Sequence, residues 1–164
     1  MGEGTTEPHD ILKISFVIGA CRHIQPSYQT VVWLEKEDGT YFKPLLVTEY
    51  LSLGGYDREG VCSTWPGKTQ WHDVSEQELD AVTTATPTIG RHVLRFACPE
   101  QVIPAGRYQY VVEMHIVESY NIVCIGTITI GDRPDESIAK VTYVPAEHPK
   151  AGQAISQISA RYCP

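Results

Sequence analysis

Six histidines (His9, His23, His72, His92, His115, His148) and five cysteines (Cys21, Cys62, Cys98, Cys124, Cys163) are the side chains best able to hold a metal or act as nucleophile and base. Their spacing argues against both roles. No histidine pair has the one-face spacing of a ligand pair, and no Cys-x-x-Cys is present, so zinc-ribbon and thioredoxin-like readings fail. His72 beside Asp73 and near Asp80 is the best local cluster, and His115 shares an outward strand face with Glu113; both read as solvated pairs. The odd cysteine count leaves at least one thiol unpaired, with Cys62 to Cys98 and Cys21 to Cys163 as candidate bridges in an oxidising compartment. The chain also lacks a Gly-x-Ser-x-Gly elbow, a phosphate-cradling Gly-Lys-Ser/Thr loop and a dinucleotide glycine fingerprint. The expectation is therefore a non-enzymatic protein with no metal site, and a small hydrolase or metal-dependent enzyme using His72 is the last alternative.

Two further segments draw attention. Residues 79–90 read LDAVTTATPTIG, a threonine-rich run between an acidic residue and a proline-glycine exit, where threonine and proline oppose helix and favour an extended entry and a turn. Residues 51–80 carry Gly54, Gly55, Gly60, Pro66 and Gly67 together with Trp65 and Trp71, which reads as a long loop. A loop of that length inside a compact domain is usually functional. Trp65, Trp71 and Tyr56 are candidate partner-binding anchors. Within the loop, Ser75 followed by Glu78 predicts the start of one short helix.

The elements that must position these residues are strands. Leu12, Ile14, Phe16 and Ile18 alternate onto one face, as do Tyr108, Tyr110, Val112, Met114 and Ile116. Further runs at 30–34, 41–48, 91–97, 122–130 and 138–144 are separated by turn residues such as Asp38-Gly39 and Pro104-Ala105-Gly106. The pattern predicts an all-β fold, an antiparallel β-sandwich of about seven to nine strands with one long loop. Residues 1–164 form one domain, with 1–10 a flexible N-terminal segment and 154–162 either an edge strand open to association or a loose tail.

A length of 164 residues, 42% hydrophobic and 20% charged, suits a single packed core. The net charge of −7 and the scattering of 13 basic residues along the chain give no general attraction for nucleic acid or anionic lipid. No run approaches a membrane span, so no membrane insertion is expected. Residues 1–10 carry Glu3, Glu7 and Asp10 and do not read as a secretory leader, so an exported form would begin after a removed one.

The stretch Asp80-Ala81-Val82-Thr83-Thr84-Ala85-Thr86 resembles one in a bacterial periplasmic family, domain of unknown function 2271, in which a glycine stands at the position of Thr84. The similarity extends to PSYQTVVWLEKEDGTYFKPLLV (26–47), to the tryptophan loop, and to VIPAGRYQYVVEM (102–114), the last also similar to the immunoglobulin-like module of flagellar hook-capping proteins. The resemblance implies an immunoglobulin-like sandwich in the periplasm and association with a membrane redox system. The same stretch looks like the acceptor motif of flavin transferases, which would make Thr86 the attachment point of FMN and Asp80 the upstream acidic residue. On this reading the protein is a periplasmic binding or interaction module of unidentified protein or small-molecule partner, with an FMN carrier as the alternative. Thr84 in place of glycine is the departure that counts against the carrier, since glycine permits close backbone approach.

Overall fold

A computed structural model describes residues 9–164. Of the flexible segment expected at 1–10, residues 1–8 lie outside the described range. Ten strands follow in chain order: β1 (Ile11–Ile18), β2 (Thr30–Lys36), β3 (Tyr41–Thr48), β4 (Thr83–Thr84), β5 (Gly90–Ala97), β6 (Gly106–Val117), β7 (Tyr120–Ile130), β8 (Asp135–Ile138), β9 (Lys140–Val144) and β10 (Ile155–Cys163). Two short helices, α1 (Glu49–Ser52) and α2 (Glu76–Val82), lie between β3 and β4. The strands make two open sheets, β5-β1-β10-β8 and β4-β3-β2-β6-β7-β9, and all pairings are antiparallel except β3 with β4. The all-β sandwich expected from alternation is what forms. Among the described residues no helix is long and apolar enough to cross a membrane.

β1 shows why. Its alternation sends Leu12, Ile14, Phe16 and Ile18 inward, each at most 1% exposed, and leaves Lys13, Ser15 and Val17 on the outer face. They meet Val32, Leu34, Tyr110, Val112 and Met114 from the larger sheet, and this apolar layer between the sheets is the main core. Gly126 is required here, because a Cβ at that position would collide with the Tyr110 hydroxyl, which is held by Ser137 on β8.

The larger sheet is buried on its other face as well. Val31, Trp33, Val47, Val111 and Val123 point away from the main core into a second cluster completed by Leu51, Val61, Trp65 and Trp71. Residues 51–80 thus fold back over the sheet as a lid. Trp65 is fully buried, Trp71 is 3% exposed, and their rings lie 5.0 Å apart at 55°. This corrects the expectation that both tryptophans are contact anchors: they fill the second core, and Tyr56 packs half-buried against it.

Three polar side chains on the sheet tie the lid down. Glu113, fully buried, accepts from the backbone N–H groups of Trp65 at 3.0 Å and Thr64 at 3.1 Å. Asn121 accepts from Cys62 N–H at 2.8 Å and donates to the Gly60 carbonyl at 2.8 Å. Glu35 accepts from Trp33 Nε1 at 2.9 Å and pairs with Lys68 Nζ at 2.6 Å. The solvated face expected for Glu113 and His115 is therefore overturned, because the lid covers it.

Two other expectations change. The single run expected at 138–144 divides at Ala139 into β8 in the smaller sheet and β9 in the larger one. Residues 155–163 are neither an edge nor a tail: β10 lies between β1 and β8.

Removing the Trp65 side chain by Trp65→Ala should cost about 3–5 kcal/mol, read as a lower denaturant midpoint; a change within about 0.5 kcal/mol, as at ordinary surface sites, would place the ring outside the core. Burial pushes the Glu113 carboxyl above its ordinary value of 4.5. The folded state then binds that proton more tightly than the unfolded chain, so stability falls as pH rises from about 4.5 through the folded value. Chemical denaturation across that range should show this decline in the native protein and a flatter profile in Glu113→Gln, at lower overall stability.

Candidate functional site

Residues 83–86 leave the lid along the edge of the larger sheet. Ser75 caps α2 by accepting from Glu78 N–H at 3.1 Å, as its spacing predicts. The helix ends at Thr83, whose hydroxyl donates to the Leu79 carbonyl at 2.6 Å and lies 2.7 Å from Ser52 Oγ. β4 then runs parallel to β3, with Val47 opposite Thr83 and Thr48 opposite Thr84. Thr84 therefore has strand geometry and is not among the residues with positive φ. A β-branched side chain suits that backbone, so the missing glycine removes no conformation this chain needs.

Thr86 follows, half-buried, and its hydroxyl oxygen accepts from Gln29 Nε2 at 3.2 Å. The amide is itself oriented: Gln29 Oε1 accepts from the Thr48 hydroxyl at 2.7 Å, and Thr48 Oγ1 accepts from Thr30 N–H at 3.3 Å. Thr30 and Thr48 are fully buried. A relay anchored in the sheet thus fixes the position of the Thr86 oxygen. Asp80 is exposed on α2, and no hydrogen bond joins it to Thr86 among the described residues.

Thr86 and Ala85 form one wall of an open cleft of about 820 Å³. The facing wall comes from α1 and the turn after it, with Tyr50, Leu53, Gly54 and Arg58. Arg58 Nη1 donates to the Tyr50 hydroxyl at 3.0 Å. Tyr50 is 41% exposed and Leu53 65% exposed, so this wall presents apolar surface beside the Arg58 guanidinium and the carboxylates of Glu49 and Asp57. Tyr50 and Arg58 also line a smaller adjoining cleft of about 450 Å³ with Ser27, Gln29 and His115.

His115 is held as a structural clamp in that second cleft. Burial lowers its proton affinity below the ordinary histidine value, so the ring is neutral at pH 7. Its Nε2 lies 2.7 Å from the Glu118 carbonyl and donates to it, which leaves Nδ1, 2.5 Å from Ser27 Oγ, to accept from that hydroxyl.

The other sequence candidates are not brought together. His72 and Asp73 are both exposed, 3.9 Å apart on a single turn. No group of three metal-ligating side chains occurs among the described residues. All five cysteines are free thiols, so neither Cys62 to Cys98 nor Cys21 to Cys163 is bridged: Cys62 lies in the second core and Cys98 in the main one. Burial raises the Cys98 thiol to about 11 and the Cys124 thiol to about 12, which keeps both protonated and unreactive.

The residues that build the cleft beside Thr86 carry no recognisable sequence signal. Gln29 stands just before β2 and Thr48 ends β3, Tyr50 lies on α1, and Arg58 lies in a loop whose closure cannot be inferred from spacing.

An all-β sandwich with a pinned lid and an open cleft at its edge defines the class. Residues 24–131 match the family described as "Predicted periplasmic protein (DUF2271)". The chain belongs to this family, which supports an extracytoplasmic location. No curated protein and no solved structure matches the chain.

If the relay positions the segment around Thr86, Thr48→Val should cost about 1–2 kcal/mol and speed amide hydrogen exchange in residues 83–88; unchanged exchange there would detach the relay from the segment.

Proposed function

We propose that the protein is a non-enzymatic extracytoplasmic flavin carrier, with FMN joined through a phosphoester to Thr86. The observation that carries this reading is the setting of the Thr86 hydroxyl, held by Gln29 at the wall of an open cleft rather than turned into the core. The residues present suit such a group. Thr86 Oγ1 would give up its proton and become the ester oxygen as a separate transferase moves FMN from a flavin dinucleotide, whose pyrophosphate bond breaks and whose nucleoside monophosphate leaves, with Gln29 Nε2 keeping the oxygen in place. Arg58 offers a cation for a phosphate, set against the carboxylates of Glu49 and Asp57 in the same cleft, and Tyr50 and Leu53 offer apolar surface to a planar ring. When bound, the flavin supplies reversible one- and two-electron transfer. The protein contributes attachment, orientation and partial shielding from water, and no substrate chemistry. The resemblance of 80–86 to a flavin-transferase acceptor motif supports the same assignment.

A second reading keeps the chain as an interaction module without flavin. It is favoured by the exposed Tyr50, Leu53 and Ile89, which could meet a protein partner directly now that the tryptophans are committed to the core.

Co-expression in the periplasm with a flavin transferase distinguishes them. Native protein should gain the mass of one FMN, turn yellow and carry the addition on the peptide containing Thr86. Thr86→Val should remove the addition while leaving the melting temperature nearly unchanged. Thr86→Ser should restore it. An unmodified native chain under these conditions, or flavin retained in Thr86→Val, would overturn the carrier and leave the interaction module.

A further inference from the structure

The outer face of the smaller sheet gathers basic residues that the sequence scatters. β1 pairs with β5 and β10 in a register that sets Lys13 opposite Arg95 on one side and Arg161 on the other, with Glu136 of β8 beyond Arg161. Three cations thus stand side by side on adjacent strands, within roughly 10 Å at the usual strand spacing. Like charges directly opposite one another destabilise a sheet. None of the three joins an ion pair among the described residues. In a chain of net charge −7, a row of three cations against the single carboxylate of Glu136 keeps a net positive charge that attracts an anion.

The neighbouring row has a different character. Ser15 stands opposite Val93 and Ser159, and Ser159 opposite Ile138, so two adjacent hydroxyls are flanked by apolar side chains. Ile138 is 84% exposed and Val93 37% exposed. One step further the β1–β10 register slips between Ser15 and Val17, and Gln157 takes a φ of 53°. This β-bulge parts the two strands. A cleft of about 410 Å³ lies there, bordered by Phe16, Val17, Ile138 and Ile158.

The cationic groove, about 790 Å³, shares Ser15, Arg91, Ile138 and Ser159 with the apolar cleft. The two form one trough, with cations at one end, hydroxyls in the middle and apolar side chains at the bulge, and with Arg91 on the rim of both. From Lys13 to Val17 the strand covers roughly 14 Å.

We propose that this trough binds an anionic amphiphile. Its phosphate or carboxylate head sits on Arg95, Lys13 and Arg161, and its alkyl portion lies past Ser15 and Ile138 toward Val17. The long aliphatic stems of the basic residues add to the apolar floor. The inference is independent of the flavin assignment, since the trough is built by the smaller sheet and Thr86 follows the edge strand of the larger one.

The test titrates the full chain with dodecyl phosphate below its micelle concentration, with dodecyl maltoside as a neutral control, and in parallel with vesicles of equal parts phosphatidylglycerol and phosphatidylcholine. Saturable binding of dodecyl phosphate is expected, weakening with added salt and reduced at least about tenfold in Arg95→Gln/Arg161→Gln, the loss that follows from removing charge-assisted hydrogen bonds. Ile138→Ser, at an exposed position that the fold does not need, should also weaken it while leaving the melting temperature unchanged. Binding to the vesicles alone, lost in the same variants, would assign the site to lipid headgroups in a bilayer. Equal binding of dodecyl maltoside, undiminished binding in these variants, or no binding to either anionic probe would overturn the proposal.

Discussion

The buried carboxylate of Glu113 is the constraint on which much else rests. A strand that would otherwise show one polar face to water carries an acid there, and burying it uncompensated would be costly. Two backbone N–H groups from the lid, those of Thr64 and Trp65, meet that requirement. The same contact places Trp65 over the sheet beside Trp71, turning the outer face into a second core. The lid cannot leave without exposing both an apolar cluster and an acid with no partner. A glycine- and proline-punctuated stretch with little regular structure is thereby held as firmly as a strand, and α1, α2 and β4 are carried to fixed places at the sheet edge.

The strand framework was legible because alternation reports one buried face. β1 reads correctly from Leu12, Ile14, Phe16 and Ile18 alone. The same rule misplaces Glu113 and His115, since it assumes that the opposite face meets water. No local pattern tells that a loop some fifty residues away in sequence covers that face. The run at 138–144 fails for a related reason: β-propensity is continuous through it, and the change of sheet at Ala139 depends on which neighbours are in reach. Of the candidate site, the 80–86 stretch was visible through its resemblance, while Gln29, Thr48, Tyr50 and Arg58 were not, because their relevance exists only after the chain closes.

The two surfaces assigned here differ in how they are built. Thr86 is set by a directional relay, in which each hydrogen bond fixes the next group and the last orients one oxygen. The trough on the smaller sheet is set by register, which stacks like charges in a row and accepts the cost in repulsion. A relay suits a single attachment point, and a charged row suits a ligand that slides to its best fit. The acidic net charge that seemed to exclude anionic partners is an average over a surface with one strongly opposed face.

The position of β10 bears on when the protein can exist as a folded body. The first strand finds its main partner in the last, and β8 has no other neighbour in its sheet. The smaller sheet therefore stays incomplete until residues 155–163 are in place, because β1 gains its second neighbour and β8 its first only through β10. A chain lacking 155–163 would leave β8 unpaired and β1 open along one side, while every strand of the larger sheet would still be present.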